Sequence, residues 1–196
     1  MRLGIFGGSF DPPHVGHLIV ADDAAAALGI DRLLFVPVGD HPLKQARVEA
    51  PADVRLEMVE AATASSESFE PDGREVRRPG PSYTVDTVAA LQMENPGAEL
   101  VLLVGADIVA EFHRWRRLDE IARRARIAVM SRADAPAVEA SVDVRLETIE
   151  VTHVAISSSA VRERVRTGKP YRYLVPGPVY EIIERRSLYR NRADGE

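Results

Sequence analysis

The chain has no cysteine among its 196 residues. That excludes disulfides and thiolate metal sites and is in keeping with a reducing compartment. Aromatic residues make up 6% of it, with a single tryptophan. No apolar run approaches the ~18 residues of a membrane span, and glycine and aspartate soon interrupt the run after Arg2, so no secretory pattern is expected. Positive charge is in deficit, with a formal net charge of −5. This disfavours non-specific binding to polyanions, while the clustered arginines still permit a local basic pocket. No Gly-Lys-Ser/Thr occurs, and Gly7-Gly8-Ser9 does not fit G-x-G-x-x-G, so neither the lysine phosphate loop nor the dinucleotide fingerprint applies.

What is present alternates in type. Residues 3–6, 33–36, 100–104 and 127–130 are short apolar runs suited to buried parallel strands, with further strands near Phe69 and over 146–151. Between them lie helical patterns: from Asp11-Pro12 to Gly29, over 53–64, from Tyr83-Thr84 to Asn95, around 108–112 and 118–124, from Ser157 through Val165, and over 179–183. Residues 39–51 read as a polar loop and 133–145 as a weakly patterned surface segment. Strand–helix alternation without internal repeat or low-complexity linker argues for one α/β domain over residues 1–196.

In such sheets ligands bind beyond the carboxyl ends of the strands, which singles out the loops at 7–17, 105–116 and 157–162. The first joins glycines to a helix start, where free amides attract anions. His14 and His17, three apart on one turn, lie roughly 5–6 Å apart at Cβ. Each imidazole could bond a phosphate oxygen, with Gly16 leaving room between them. A metal pair and plain surface histidines are the competing readings. Asp107 suits either a ribose hydroxyl or a helix cap. Trp115 suits a stacking surface or the core, although His113, Arg114, Arg116 and Arg117 beside it disfavour deep burial. Arg123, Arg124 and Arg126 read as a solvated helix face.

The stretch from Gly7 through Ser9, Phe10, Asp11, Pro12, Pro13, His14, Val15 and Gly16 to His17 resembles the H-x-G-H signature of the nucleotidyltransferase superfamily, and most closely that of bacterial nicotinate-nucleotide adenylyltransferases. Ile156-Ser157-Ser158-Ser159-Ala160-Val161-Arg162 resembles the second signature of that superfamily, and residues 155–190 form the C-terminal segment that carries it. Pro81-Ser82-Tyr83-Thr84, Gly105-Ala106-Asp107 with Phe112 to Trp115, and the ending from Tyr173 to Arg190 resemble the nicotinate branch. The resemblance implies a Rossmann-like, doubly wound, mostly parallel sheet with helices on both faces and a small C-terminal helical part.

It also implies adenylyl transfer from ATP to nicotinate mononucleotide, giving deamido-NAD and pyrophosphate, in the cytoplasm. By that resemblance His14, His17 and Arg162 are catalytic. Gly7, Gly8, Ser9, Phe10, Gly16, Gly105, Asp107, Ser157, Ser158 and Ser159 join them in binding ATP. Lys44, Tyr83, Thr84, Trp115 and Arg116 hold the mononucleotide, with amides at Thr84 and Arg116 on the nicotinate carboxylate and Trp115 on the ring. Mg²⁺ arrives with ATP and no dedicated protein cage is expected. The implied partners are these small molecules, without nucleic acid or membrane; monomer and homo-oligomer both stay open. Ser9 and Ser159 stand where threonine is common, and Asp40-His41-Pro42-Leu43-Lys44 departs from the usual Pro-Pro-His-Lys, which leaves His41 and Lys44 without firm roles. Transfer to nicotinamide mononucleotide, pantetheine phosphate or a glycerol-type phosphate, and a non-catalytic nucleotide-binding regulator, are the alternatives.

Overall fold

The computed structural model describes residues 1–40, 48–131 and 144–191; His41, Lys44 and most of the segment over 133–145 therefore lie outside the described residues. The chain begins with β1 (Arg2–Gly8), α1 (Val15–Leu28) and β2 (Arg32–Pro37), followed by α2 (Ala52–Thr63) and β3 (Phe69–Pro71). A single turn, α3 (Arg74–Arg77), precedes α4 (Thr84–Glu94) and β4 (Glu99–Gly105). Then come α5 (Ala106–Val109), a 3₁₀ turn over Phe112–Arg114, α6 (Leu118–Arg124), β5 (Ala125–Ser131) and β6 (Leu146–Glu150). Two helices end the chain, α7 (Ser158–Arg166) and α8 (Gly177–Arg185).

The strands form one sheet in the order β3-β2-β1-β4-β5-β6, and every pairing in it is parallel. Each central strand is apolar on both faces because each face carries helices. Along β4, Leu100, Leu102 and Val104 enter one core, which also receives Val85, Val88 and Leu91 of α4 and Leu118 and Ile121 of α6. Val101 and Leu103, one residue out of phase, enter the opposite core with Ala21, Ala24 and Leu28 of α1 and Val59 of α2. Crossovers before and after the reversal of strand order thus cover opposite faces, as right-handed connections require. A third core joins α2 to α7 and α8 through Met58, Val161, Val165, Val179, Ile182 and Ile183. Among the described residues no helix is long and apolar enough to cross a membrane.

Most expected boundaries hold within a residue or two. Gly29 ends α1 in a left-handed conformation (φ 59°), where a Cβ would be strained. The start of α1 is the main correction: Asp11-Pro12 does not open the helix, which begins at Val15 after His14 as N-cap. Asp11 is unavailable as a cap because its buried carboxylate accepts from the amides of Glu49 and Ala50. Arg126 is a second correction. It lies in β5 and pairs with Glu99 at 2.5 Å and with Glu147, so only Arg123 and Arg124 sit on a helix face. The turn α3, built over Arg74–Arg77, was not expected; its Arg74 is held between Asp72 and Glu94.

Ile183 is fully buried where α8 meets α2. Replacing it with alanine should cost about 2–5 kcal/mol, read in urea as a lower midpoint at unchanged slope. Coincident loss of fluorescence and circular dichroism is expected; separated transitions would show that the C-terminal helices and the sheet unfold as different units.

Candidate active site

The strand order reverses between β1 and β4, and their carboxyl ends open the crevice in which ligands bind to sheets of this kind. At the end of β1 the chain turns through Ser9 and Phe10, the latter with φ 47°. The Phe10 side chain is buried, with its ring edge-on to Phe6 and to His17 at 5.6 and 5.1 Å between centroids. What Phe10 can offer a ligand is therefore its backbone. Among the described residues, none accepts a hydrogen bond from the amides of Ser9 or Phe10. Two donors are thus left free at a turn where backbone N–H groups favour an anion.

His14 and His17 stack with their ring centroids 3.7 Å apart. The His14 amide donates to Nδ1 of His17 at 3.1 Å, so the neutral His17 ring carries its proton on Nε2, free to donate elsewhere. Nδ1 of His14 is buried without a partner among the described residues. A Cβ on Gly16 would stand 3.0 Å from that nitrogen, which is the room the glycine provides. Burial lowers the His14 pKa from 6.5 to about 4. Burial, and then the neighbouring His14, lower that of His17 well below its ordinary value. Both rings are therefore neutral donors and acceptors at neutral pH, not cations.

The second motif is brought against the first. Ser157 caps α7 by accepting from the Ala160 amide, and its hydroxyl meets that of Ser159 at 3.0 Å. Ser158 donates to the Pro12 carbonyl at 2.8 Å, across 146 residues. Arg162 donates to the Asp11 carbonyl at 2.8 Å and pairs with Glu49 at 2.9 Å. Glu49 also holds Arg166. Thus Arg162 reaches the histidine turn, but with its charge shared with a carboxylate.

Beside this lies a cleft that brings together Gly7, Gly8, Ser9, Tyr83, Thr84, Gly105, Trp115 and Arg116. Trp115 is half-buried, packed edge-on to Phe112 at 5.0 Å, so one part of it is core and another lines the cleft. The Arg116 guanidinium lies over the Tyr83 ring at 4.8 Å. Tyr83 precedes α4, whose first residue is Thr84, so the helix N-terminus opens at the cleft. Asp107 is exposed on α5, and the cap position is taken by Gly105 instead. Its carboxylate folds back over Gly105, where a Cβ would stand 2.5 Å from Oδ1.

Several residues of the site were not singled out from sequence. Asp11, 3% exposed, accepts from the Tyr189 hydroxyl at 2.8 Å as well as from the two amides. Glu75 lines the cleft, accepts from Thr87 at 2.6 Å and is pushed up in pKa by burial. Arg55 is 1% exposed and, among the described residues, donates only to carbonyls. A signal for Arg55 existed: it occupies the buried stripe of α2 with Met58, Val59 and Ala62, at the three, four and seven spacing of an apolar face. Nothing in the local pattern marks Glu49 or Tyr189. Among the described residues no group of three or more histidines and carboxylates could hold a metal.

Residues 5–164 match the family described as cytidylyltransferase-like. A protein of Gemmatimonas aurantiaca, described as a probable nicotinate-nucleotide adenylyltransferase, is 42% identical over 202 residues, covering 100% of this chain and 95% of its own. One of the same description from Rubrobacter xylanophilus is 42% identical over 97% of this chain and 92% of its own. The solved nicotinic acid mononucleotide adenylyltransferase of Plasmodium falciparum, complexed with NaAD, superposes with a TM-score of 0.76 over 96% of this chain and 97% of that one. At 16% identity, that likeness shows the fold.

The depressed pKa of His14 has a consequence for stability. Between about pH 4 and 6.5 the unfolded chain binds this proton and the folded one does not, so stability falls as pH is lowered through that window. Urea unfolding at pH 7 and pH 5 should therefore show a loss that is smaller by roughly 2 kcal/mol in His14→Gln than in the native protein. An equal loss in both would mean that His14 titrates normally.

Proposed function

We infer the reaction from one premise: the chain belongs to the cytidylyltransferase-like family, in its nicotinate-nucleotide adenylyltransferase branch. It transfers the adenylyl group of ATP to nicotinate mononucleotide, the chemistry named for those relatives and a step in making NAD. An oxygen of the mononucleotide 5′-phosphate attacks the α-phosphorus of ATP, one P–O bond forms, and the bond to the β-phosphate oxygen breaks. Pyrophosphate leaves with that electron pair. The nucleophile is already an anion, so no general base is needed. The demands on the protein are alignment and stabilisation of charge moving onto pyrophosphate.

The observation that carries the assignment of roles is the meeting of the two motifs at Pro12 and Asp11, next to the Trp115 cleft. In this reading the free amides of Ser9 and Phe10 and the Nε2–H of His17 bond phosphate oxygens, with His14 alongside. Arg162 turns from Glu49 to the triphosphate, where its forked donors match phosphate geometry. Ser159, exposed at the start of α7, adds a hydroxyl. Gly7, Gly8 and Gly105 let the nucleotide approach the strand ends, and Asp107 takes the ribose hydroxyls. The nicotinate ring stacks on Trp115, and its carboxylate meets backbone donors at Thr84 and Arg116, which an amide NH₂ would oppose. Mg²⁺ belongs to this proposal as the counter-ion of ATP, held by phosphates and water and neutralising their charge. Action in the cytoplasm on small molecules alone is part of the same reading.

Pyrophosphate release with ATP, Mg²⁺ and either nicotinate mononucleotide or its amide tests the assignment, with the dinucleotide identified by mass. Strong preference for the acid is expected; equal use of both would sink the specificity argument, and no release with either would sink the reaction. His17→Ala should lower kcat about 10²-fold or more. As the chain has one tryptophan, its fluorescence should be quenched on adding nicotinate mononucleotide alone, and an unchanged spectrum would remove Trp115 from the ring site.

A further inference from the structure

Arg55 is among the most completely buried side chains of the molecule, at 1% exposure, and its hydrogen bonds go to neutral groups. Nη1 donates to the Ser9 carbonyl at 2.7 Å, Nη2 to those of Val38 at 2.6 Å and Gly39 at 3.3 Å, and Nε to that of Ala50 at 3.2 Å. It makes no ion pair with any described carboxylate; Asp11 acts on it only through space. A buried cation left without a contacting counter-charge is costly to a fold. Here it lies directly behind the turn that ends β1. The peptide whose carbonyl it holds is the one whose N–H belongs to Phe10, an amide that no described residue accepts from. A carbonyl that accepts a bond from a cation polarises its peptide and strengthens the N–H at the other end as a donor.

We propose that Arg55 is a positioning residue for the nucleotide polyphosphate, fixing and polarising the Ser9–Phe10 peptide from behind and supplying the buried positive charge that the neutral histidines do not. It touches no substrate. The proposal rests on the adenylyltransferase reading for the place of the phosphates. Its effect grows with phosphate charge: ATP gains most and AMP, which shares the adenosine contacts, gains little.

The test is calorimetric binding of Mg-ATP and of AMP to the native protein, Arg55→Lys and Arg55→Met, with melting temperatures measured alongside. Lysine keeps the charge but cannot reach all four carbonyls; methionine keeps much of the volume and loses the charge. Arg55→Met should weaken ATP binding about 10-fold or more, the scale of one charge-assisted hydrogen bond, with AMP changed less than about 3-fold. Arg55→Lys should recover most of the ATP loss although its melting temperature falls like that of the methionine variant. Should Arg55→Met not fold, Arg55→Gln takes its place under the same criteria. Equal weakening of ATP and AMP in step with melting temperature, or ATP affinity unchanged in the chargeless variant, would overturn the proposal. Because binding is read without turnover, a native protein that binds ATP but does not use nicotinate mononucleotide would count against the reaction and leave this test standing.

Discussion

The buried carboxylate of Asp11 accepts hydrogen bonds from the amides of Glu49 and Ala50 and from the hydroxyl of Tyr189, with Arg162 3.8 Å away. These partners come from the lead-in to α2, the segment after α8 and helix α7. One carboxylate thus ties the turn after β1 to three regions distant in sequence. A carboxylate this deep is tolerable only when its oxygens are satisfied, so the turn, the lead-in and the C-terminal segment must be in place together. Burial and this carboxylate push the Tyr189 hydroxyl up in pKa, which keeps it a donor at any ordinary pH. The position of the histidine turn, and with it the geometry of the site, depends on this arrangement.

Charge is managed in an unexpected way for a site proposed to take polyanions. Burial strips the histidines of their protons in the free protein, and the carboxylate of Glu49 holds Arg162 and Arg166. Among the described residues, the cation at the turn that contacts no carboxylate is Arg55, bonded to carbonyls. Among the described residues, the histidine turn therefore presents neutral donors, with the Arg55 guanidinium and the Asp11 carboxylate buried behind it. Polyphosphate bound against the rings would raise their affinity for protons again. In the proposed reaction such fixed donors would need little reorganisation as charge moves during transfer.

The reading of the sequence succeeded where one physical cause dominates. The central strands were legible because burial on both faces of a parallel sheet leaves continuous apolar runs, as at 100–104 and 33–36. Gly29 and Asn95 were legible as helix ends from local backbone chemistry. It failed at Asp11-Pro12, a good local helix start, because the aspartate is committed to partners up to 178 residues away. Arg126 was misplaced because charge alone does not separate an edge of a strand from a helix face. Arg55 was overlooked although its place on an apolar stripe was visible, since a charge on such a stripe is ordinarily solvated.

The sequence by itself determined the alternating α/β plan, the two motifs and the residue types able to meet phosphates, because periodicity, glycine turns and side-chain chemistry are local properties. Tertiary structure alone decided that residues 146 apart, Pro12 and Ser158, touch, that the histidines are neutral, that Glu49 holds Arg162, and that a buried guanidinium stands behind the turn at Ser9. Those outcomes depend on burial and on which distant groups share one low-dielectric space. Neither can be computed from neighbours along the chain, for both arise only when the sheet has closed and the last helices have packed on α2.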